Sequence, residues 1–347
     1  MEKIKQGIHG RKLVAVAVAL LFATATACGS SDDDAAADPS PTADAPVTEN
    51  TSAAPTELAV ATRTVEHELG TSEVPVDPQR IVVVDRRGSL AFLLELGFEP
   101  VGALDATWLF GEPFHPLIAD AAEAAGVQPI DDTDGPNLEQ IAALQPDLII
   151  GNVRDMGETS EQLAELAPTI GLQWDFADPL ANAVTIGEAL GRPDEAAALV
   201  SAFEASLATA ASETENPGTV SIIGLFAPDD IRVYREHNLY GQLTEQLGGQ
   251  IVPTEAELAF DPEDNEVNFI SMEEIGMAGG ERIIALVNRS PEGVSAHQEL
   301  VSGALVQALP AFQSGQVLEA DPQLAFGAAG VGGIERMLEE LMAFYNS

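Results

Sequence analysis

Beyond residue 27 the chain carries eleven arginines and no lysine, and six of those arginines stand just past stretches that read as strands. Arg86 and Arg87 follow residues 81–84, Arg154 follows 148–150, Arg232 and Arg235 follow 220–225 after a short loop, and Arg289 follows 282–287. Open parallel sheets bind ligands beyond the carboxyl ends of their strands. A guanidinium is always charged, and its forked donors suit carboxylate and other oxygen anions. Arg86, Arg87, Arg154, Arg232 and Arg289 are therefore the candidate contacts to an anionic small molecule in a cleft. Aromatic residues are scarce, so Trp108 and Tyr234, expected in loops facing that cleft, are the candidate stacking surfaces. Trp174 reads better as a core residue. The competing account pairs each arginine with a nearby acid such as Asp85, Asp155 or Glu236.

Two glutamates form the second pattern. Sliding the chain by 134 residues lays Ser271-Met272-Glu273-Glu274-Ile275 on Asn137-Leu138-Glu139-Gln140-Ile141, and Gly280-Glu281-Arg282-Ile283-Ile284 on Pro146-Asp147-Leu148-Ile149-Ile150. Both segments open with a polar cap and place an acid at the second helical position. An acid there gains about 0.3–1 kcal/mol from the helix dipole alone. Its recurrence at matched places, Glu139 and Glu273, instead suggests two exposed carboxylates forming a two-point docking surface, one on each half.

Catalytic chemistry finds little support. The chain past residue 28 has no lysine or thiol nucleophile and no phosphate-cradling glycine loop, and His67, His115, His237 and His297 stand apart without zinc-site spacing. A secreted hydrolase with a site assembled from distant residues is the alternative of another class. The net charge of the whole chain is -41. Subtracting the four cations and one acid of residues 1–27 from its fifteen and fifty-six leaves eleven arginines against fifty-five acids. Such a balance repels phosphate, so nucleic acid and an anionic membrane surface are not expected as partners.

The elements that must position these residues follow an α/β pattern. The run 81–84 is a continuous apolar strand, as in a sheet covered on both faces. A helix at 89–96 closes on Gly97, a strand covers 101–104, and 105–120 is a loop with Trp108, Phe110, Phe114 and His115. Asn137 caps a helix that Pro146 terminates by disfavouring a helical Gln145. The strand 148–150, a helix at 160–166 and a strand at 169–172 follow. The stretch 194–212 is nearly free of helix breakers, roughly 18 residues or about 27 Å long, enough to join two lobes. A second lobe repeats the plan: strand 220–225, helix 239–247, the helix opening at Ser271, strand 282–287, helix 299–309, strand 316–319 and a final helix near 334–344.

The N-terminus is expected to be processed. Lys3, Lys5, Arg11 and Lys12 precede an apolar run at 13–22 and the small residues Ala25-Thr26-Ala27, which read as a signal peptide over 1–27. The chain's one cysteine, Cys28, comes next. This resembles a bacterial lipoprotein box, in which the cysteine is lipidated and becomes the mature N-terminus. Residues 28–62, rich in Ser, Thr, Ala, Pro and Asp, are expected to be a disordered tether. The body then divides into an N-terminal lobe at 63–191, an interlobe helix at 192–216 and a C-terminal lobe at 217–347.

Taken jointly, several motifs resemble the iron-siderophore and vitamin B12 class of substrate-binding lipoproteins that feed ABC importers. They are Pro78-Gln79-Arg80-Ile81-Val82-Val83, Leu94-Glu95-Leu96-Gly97, Asn137-Leu138-Glu139, Pro146-Asp147-Leu148-Ile149, Leu166-Ala167-Pro168-Thr169 and Ser271-Met272-Glu273. The resemblance covers about residues 70–345. It implies two α/β lobes, each a mainly parallel sheet flanked by helices, joined by one long rigid helix, with Glu139 and Glu273 meeting arginines of the permease. The implied ligand is a ferric siderophore that supplies the iron's own ligands, so no resident cofactor or protein metal site is expected; haem or a corrinoid is the alternative. The implied partners are an ABC permease and its ATPase. The implied location is the outer face of the cytoplasmic membrane, where the chain is a monomer held only by its lipid anchor.

Overall fold

The computed structural model describes residues 61–347 apart from 87, 176–177, 236–237, 255–256, 259–266 and 328. The expected leader, Cys28, the tether as far as residue 60, and Arg87 lie outside the described residues. Thr62, expected to end the tether, already belongs to a strand. That strand, β1 (Thr62–His67), folds back antiparallel on β2 (Gly70–Pro75). The hairpin turns at Gly70, whose φ of 120° suits a residue without a Cβ.

The first lobe comprises β3 (Ile81–Val84), α1 (Ser89–Glu95), β4 (Gly102–Leu104), α2 (Thr107–Phe110), α3 (Pro116–Ala125), β5 (Gln128–Ile130), α4 (Leu138–Ala143), β6 (Leu148–Asn152), α5 (Val153–Met156), α6 (Ser160–Leu166) and β7 (Thr169–Leu172). Its strands are all parallel, in the order β5-β4-β3-β6-β7. The central helix begins where Asn137 accepts the Gln140 amide at 3.1 Å. Past its end Gln145 takes φ 49°, the left-handed turn that the following proline leaves open to it.

Two helices leave this lobe, α7 (Pro179–Ala189) and α8 (Pro193–Glu213). At 21 residues, α8 is about 31 Å long. The second lobe then runs β8 (Thr219–Ala227), β9 (Asp230–Tyr234), α9 (Leu239–Gln246), β10 (Gln250–Ile251), β11 (Val267–Ile270), a 3₁₀ helix (Met272–Met277), β12 (Arg282–Leu286), α10 (Pro291–Val301), α11 (Ala304–Gln307), α12 (Pro310–Ser314), β13 (Val317–Ala320) and α13 (Gly330–Tyr345). Its sheet order is β11-β9-β8-β12-β13, with β10 also on β8; β9 and β11 are the antiparallel members.

Three expectations for this lobe are corrected. Residues 230–234 form a strand rather than a loop, because Ile231 and Val233 alternate into the core opposite β8. The Ser271 helix is a 3₁₀ helix, ending before Gly279 and Gly280, where a longer α-helix would lose backbone order. The helix expected at 299–309 is instead the end of the 11-residue α10 followed by the single turn of α11, because the chain breaks at Gly303, which caps α11, and Pro310 then begins α12.

The repeat survives as topology. β3 is flanked by β6 and then β7, as β8 is flanked by β12 and then β13. Ile81 is paired with Leu148 in one lobe and Val220 with Arg282 in the other, and Leu148 and Arg282 are the residues the slide superposes. Alternate residues of these strands enter different cores. Ile81, Val83, Leu148 and Ile150 join Val220, Ile222, Ile284 and Leu286 in one continuous apolar cluster shared by both lobes through α1, α7, α8 and α13. The opposite faces form separate outer cores, with Val82, Val84 and Ile149 in one and Ile223, Leu225 and Ile283 in the other. A contiguous core between lobes resists their separation, because opening it would expose apolar surface. Glu95 adds a polar tie: its carboxylate accepts the amides of Val331 at 3.0 Å and Gly332 at 2.8 Å, fastening α13 to the first lobe. Burial raises the pKa of this carboxylate, and the two amides oppose the rise.

Candidate functional site

The carboxyl ends of β3, β5 and β6 are stitched together by Arg86. Its Nη1 donates to Asp155 Oδ1 at 2.6 Å, its Nε pairs with Asp132, and its backbone amide lies 3.3 Å from Asp155 Oδ2. Burial works against the charge of this guanidinium, yet Asp155 and Asp132 outweigh it and raise its pKa. Arg86 also lines a small recess under the loop between β4 and α3, together with Asp85, Phe110, Phe114 and His115. Arg154, two residues past β6 on α5, is exposed and makes no side-chain ion pair or hydrogen bond with another described residue. Trp108 lies on α2, a single helical turn rather than an open loop, and is 62 % exposed.

In the second lobe Arg232 lies within β9. Its Nε and Nη2 donate to the two carboxylate oxygens of Asp230 at 2.7 and 2.8 Å, a forked pair that raises its pKa. The guanidinium sits between two aromatic rings, 5.0 Å from the centroid of Phe226 and 5.2 Å from that of Phe269. Phe269 is 64 % exposed. Tyr234, expected in a cleft loop, is instead buried in the shared core, because β9 continues through it. Arg289, past β12, is exposed, with Nε 4.0 Å from Asp321 Oδ2.

Asp321, which follows β13, brings the two carboxyl edges together. His115 Nε2, from the first lobe, lies 3.5 Å from the same Oδ2, and Tyr240 donates its hydroxyl to the Asp321 carbonyl at 2.9 Å. His115 Nδ1 accepts the Leu117 amide at 3.2 Å, so the proton of the neutral ring is on the nitrogen facing Asp321. Sequence reading did not single out Asp321, Asp230, Phe226 or Phe269. Only the Asp229-Asp230 turn between two β-rich runs could have shown that a hairpin brings such residues together.

Trp174 is buried in the shared core, with its ring 5.9 Å from that of Phe92. Glu139 and Glu273 are both exposed in the first turn of their helices. Two residues beyond each, Ile141 and Ile275 are buried in the outer cores of the first and second lobes. The two carboxylates therefore occupy matched places in the outer layers of the two lobes. Among the described residues no group of three or more His, Cys, Asp or Glu is gathered to hold a metal ion, and no helix is long and apolar enough to cross a membrane.

Comparison with known proteins places this architecture. The family described as periplasmic binding protein matches residues 93–324. The chain is 29% identical over 297 residues to the Bacillus subtilis protein named "Probable siderophore-binding lipoprotein YfiY", covering 82% of this chain and 88% of that one. It is 26% identical over 266 residues to the "Fe(3+)-citrate-binding protein YfmC" of the same organism, covering 75% and 78%. Among solved structures, Staphylococcus aureus SirA complexed with staphyloferrin B superposes with a TM-score of 0.66 at 22% identity, covering 82% of this chain and 99% of that one, a likeness of fold.

Proposed function

The chain belongs to the periplasmic binding protein family, and from that premise we propose that it captures a ferric siderophore between its lobes and delivers it to an ABC importer. The observation that carries this reading is that guanidinium and aromatic groups stand at the carboxyl edges of two sheets which meet at His115 and Asp321. The siderophore supplies the iron's ligands, and the protein recognises its outer surface, with Arg154, unpaired among the described residues, as a forked donor and Trp108 as an apolar face. Names of relatives in this family support a ferric chelate as cargo. Lipidation at Cys28 tethers the body to the outer face of the cytoplasmic membrane, and Glu139 and Glu273 engage the permease, one from each lobe.

Tryptophan fluorescence tests the reading, because the chain has two tryptophans and they differ in exposure. Titration with ferric siderophores should quench emission to saturation, and Trp108→Phe should remove most of the response while leaving the buried Trp174 signal. Arg154→Ala and Arg232→Ala should each weaken binding. Saturable quenching by haem, with none by ferric siderophores, would transfer the assignment to a porphyrin receptor.

A further inference from the structure

We infer that the preferred cargo is a ferric chelate of zero or low net charge, of the hydroxamate kind, rather than a triply negative one; this rests on the receptor reading above. The cations that suggest an anion site are largely neutralised within the protein. Arg86 is held by Asp132 and Asp155, Arg232 by both oxygens of Asp230, and Arg289 faces Asp321. The four guanidinium groups of Arg86, Arg154, Arg232 and Arg289 thus stand among the carboxylates of Asp132, Asp155, Asp230 and Asp321, and Asp85 lines the same recess as Arg86. Only Arg154 is left without a described partner. A chelate with three negative charges would have to displace these aspartates or lie against them, and unpaired like charges at close range disfavour such a ligand.

The exposed aromatic groups point the same way by a separate route. Trp108 on α2, past β4, and Phe269 beside Arg232 are both largely exposed, and Arg232, with its fork already occupied, remains available as the filling of an aromatic stack. Such surfaces suit the methylene and amide backbone of a chelator whose charge is spent on iron. Three monoanionic hydroxamates balance iron(III), whereas three dianionic catecholates leave the complex triply negative.

The test compares a ferric tris-hydroxamate with a ferric tris-catecholate on the full chain by fluorescence quenching and calorimetry. The neutral chelate should bind on the order of tenfold more tightly, and its affinity should stay within about twofold from low to high salt. Asp230→Asn, which releases the fork of Arg232, should move the ratio of affinities about tenfold toward the catecholate. Tighter wild-type binding of the tris-catecholate, or a ratio that Asp230→Asn leaves unmoved, overturns the inference while leaving the receptor reading in place. If Asp230→Asn does not fold, the wild-type comparison and its salt dependence decide. Saturable binding of neither chelate overturns this inference, and, where a ferric carboxylate chelate such as ferric citrate does not bind either, the receptor reading falls with it.

Discussion

Asp147 and Glu281 do the same work in the two lobes. Asp147 Oδ1 accepts the backbone amide of Arg80 at 2.9 Å, and Glu281 Oε2 accepts that of Thr219 at 3.2 Å. Each acid immediately precedes the second strand of a parallel pair and grips the start of the first, at Arg80 just before β3 and at Thr219, the first residue of β8, so it sets the register in which Ile81 meets Leu148 and Val220 meets Arg282. Asp147 accepts the Gln79 amide as well, at 2.7 Å. Asp147→Ala should cost about 1–3 kcal/mol in chemical denaturation and Glu281→Ala about 0.5–1.5, because the first acid satisfies two amides and the second one. Equal losses would mean that the two contacts do not carry the register.

Glu139 and Glu273 should be expendable for folding and for cargo. Both are exposed, and neither side chain pairs with another described residue, so replacing each by Ala should change stability by no more than about 1 kcal/mol through the helix dipole. The double replacement should leave chelate affinity unchanged yet abolish siderophore-dependent growth under iron limitation. Normal growth with both changes would remove these acids from the permease contact.

Sequence periodicity revealed the lobes more fully than the contacts between them. Runs such as Ile81–Val84 and Leu148–Asn152 are apolar on both faces, and the caps at Asn137 and Ser271 are local, so strands and helix starts could be read residue by residue. Position past a strand also located Arg86, Arg154 and Arg289. The partners of these arginines could not be read. Asp132 reaches Arg86 only because β5 runs alongside β4, and Asp321 reaches His115 only because the two lobes pack together. Tyr234 was misplaced for a related reason: β9 is a short hairpin strand whose alternation covers only Ile231 and Val233, and its pairing with β8 continues it through the tyrosine.

The contact of His115 with Asp321 gives the lobes a polar junction at their carboxyl edges. Its partners are well anchored, since Phe110 lies edge-on to the imidazole at 5.2 Å and Tyr240 holds the Asp321 backbone. In Asp321→Ala the segment from α2 to the start of α3 should exchange its amide hydrogens about tenfold faster, while the strands of both sheets keep their protection. Exchange that accelerates equally throughout would show general destabilisation, and unchanged exchange would show that the contact restrains nothing.

His297 should make stability depend on pH in a predictable direction. The ring is 2% exposed on α10, with Nε2 3.6 Å from Glu319 Oε1. Burial lowers its pKa from the ordinary 6.5, and the nearby Glu319 only partly offsets that. In the unfolded chain the imidazole takes up a proton near the ordinary value, so between that value and the lower folded pKa the unfolded state binds more protons. The stability held by the neutral buried ring is thus complete above about pH 6.5, is lost as the pH falls toward the folded pKa, and levels off below it. Urea unfolding of wild type and His297→Gln, measured at about pH 7.5 and about pH 5.5, isolates this contribution because the other titrating groups are common to both proteins. The wild type should lose more stability than the variant over that interval, by at most about 1.4 kcal/mol for each pH unit below 6.5. A variant that loses as much as the wild type would show that the ring does not titrate differently on folding.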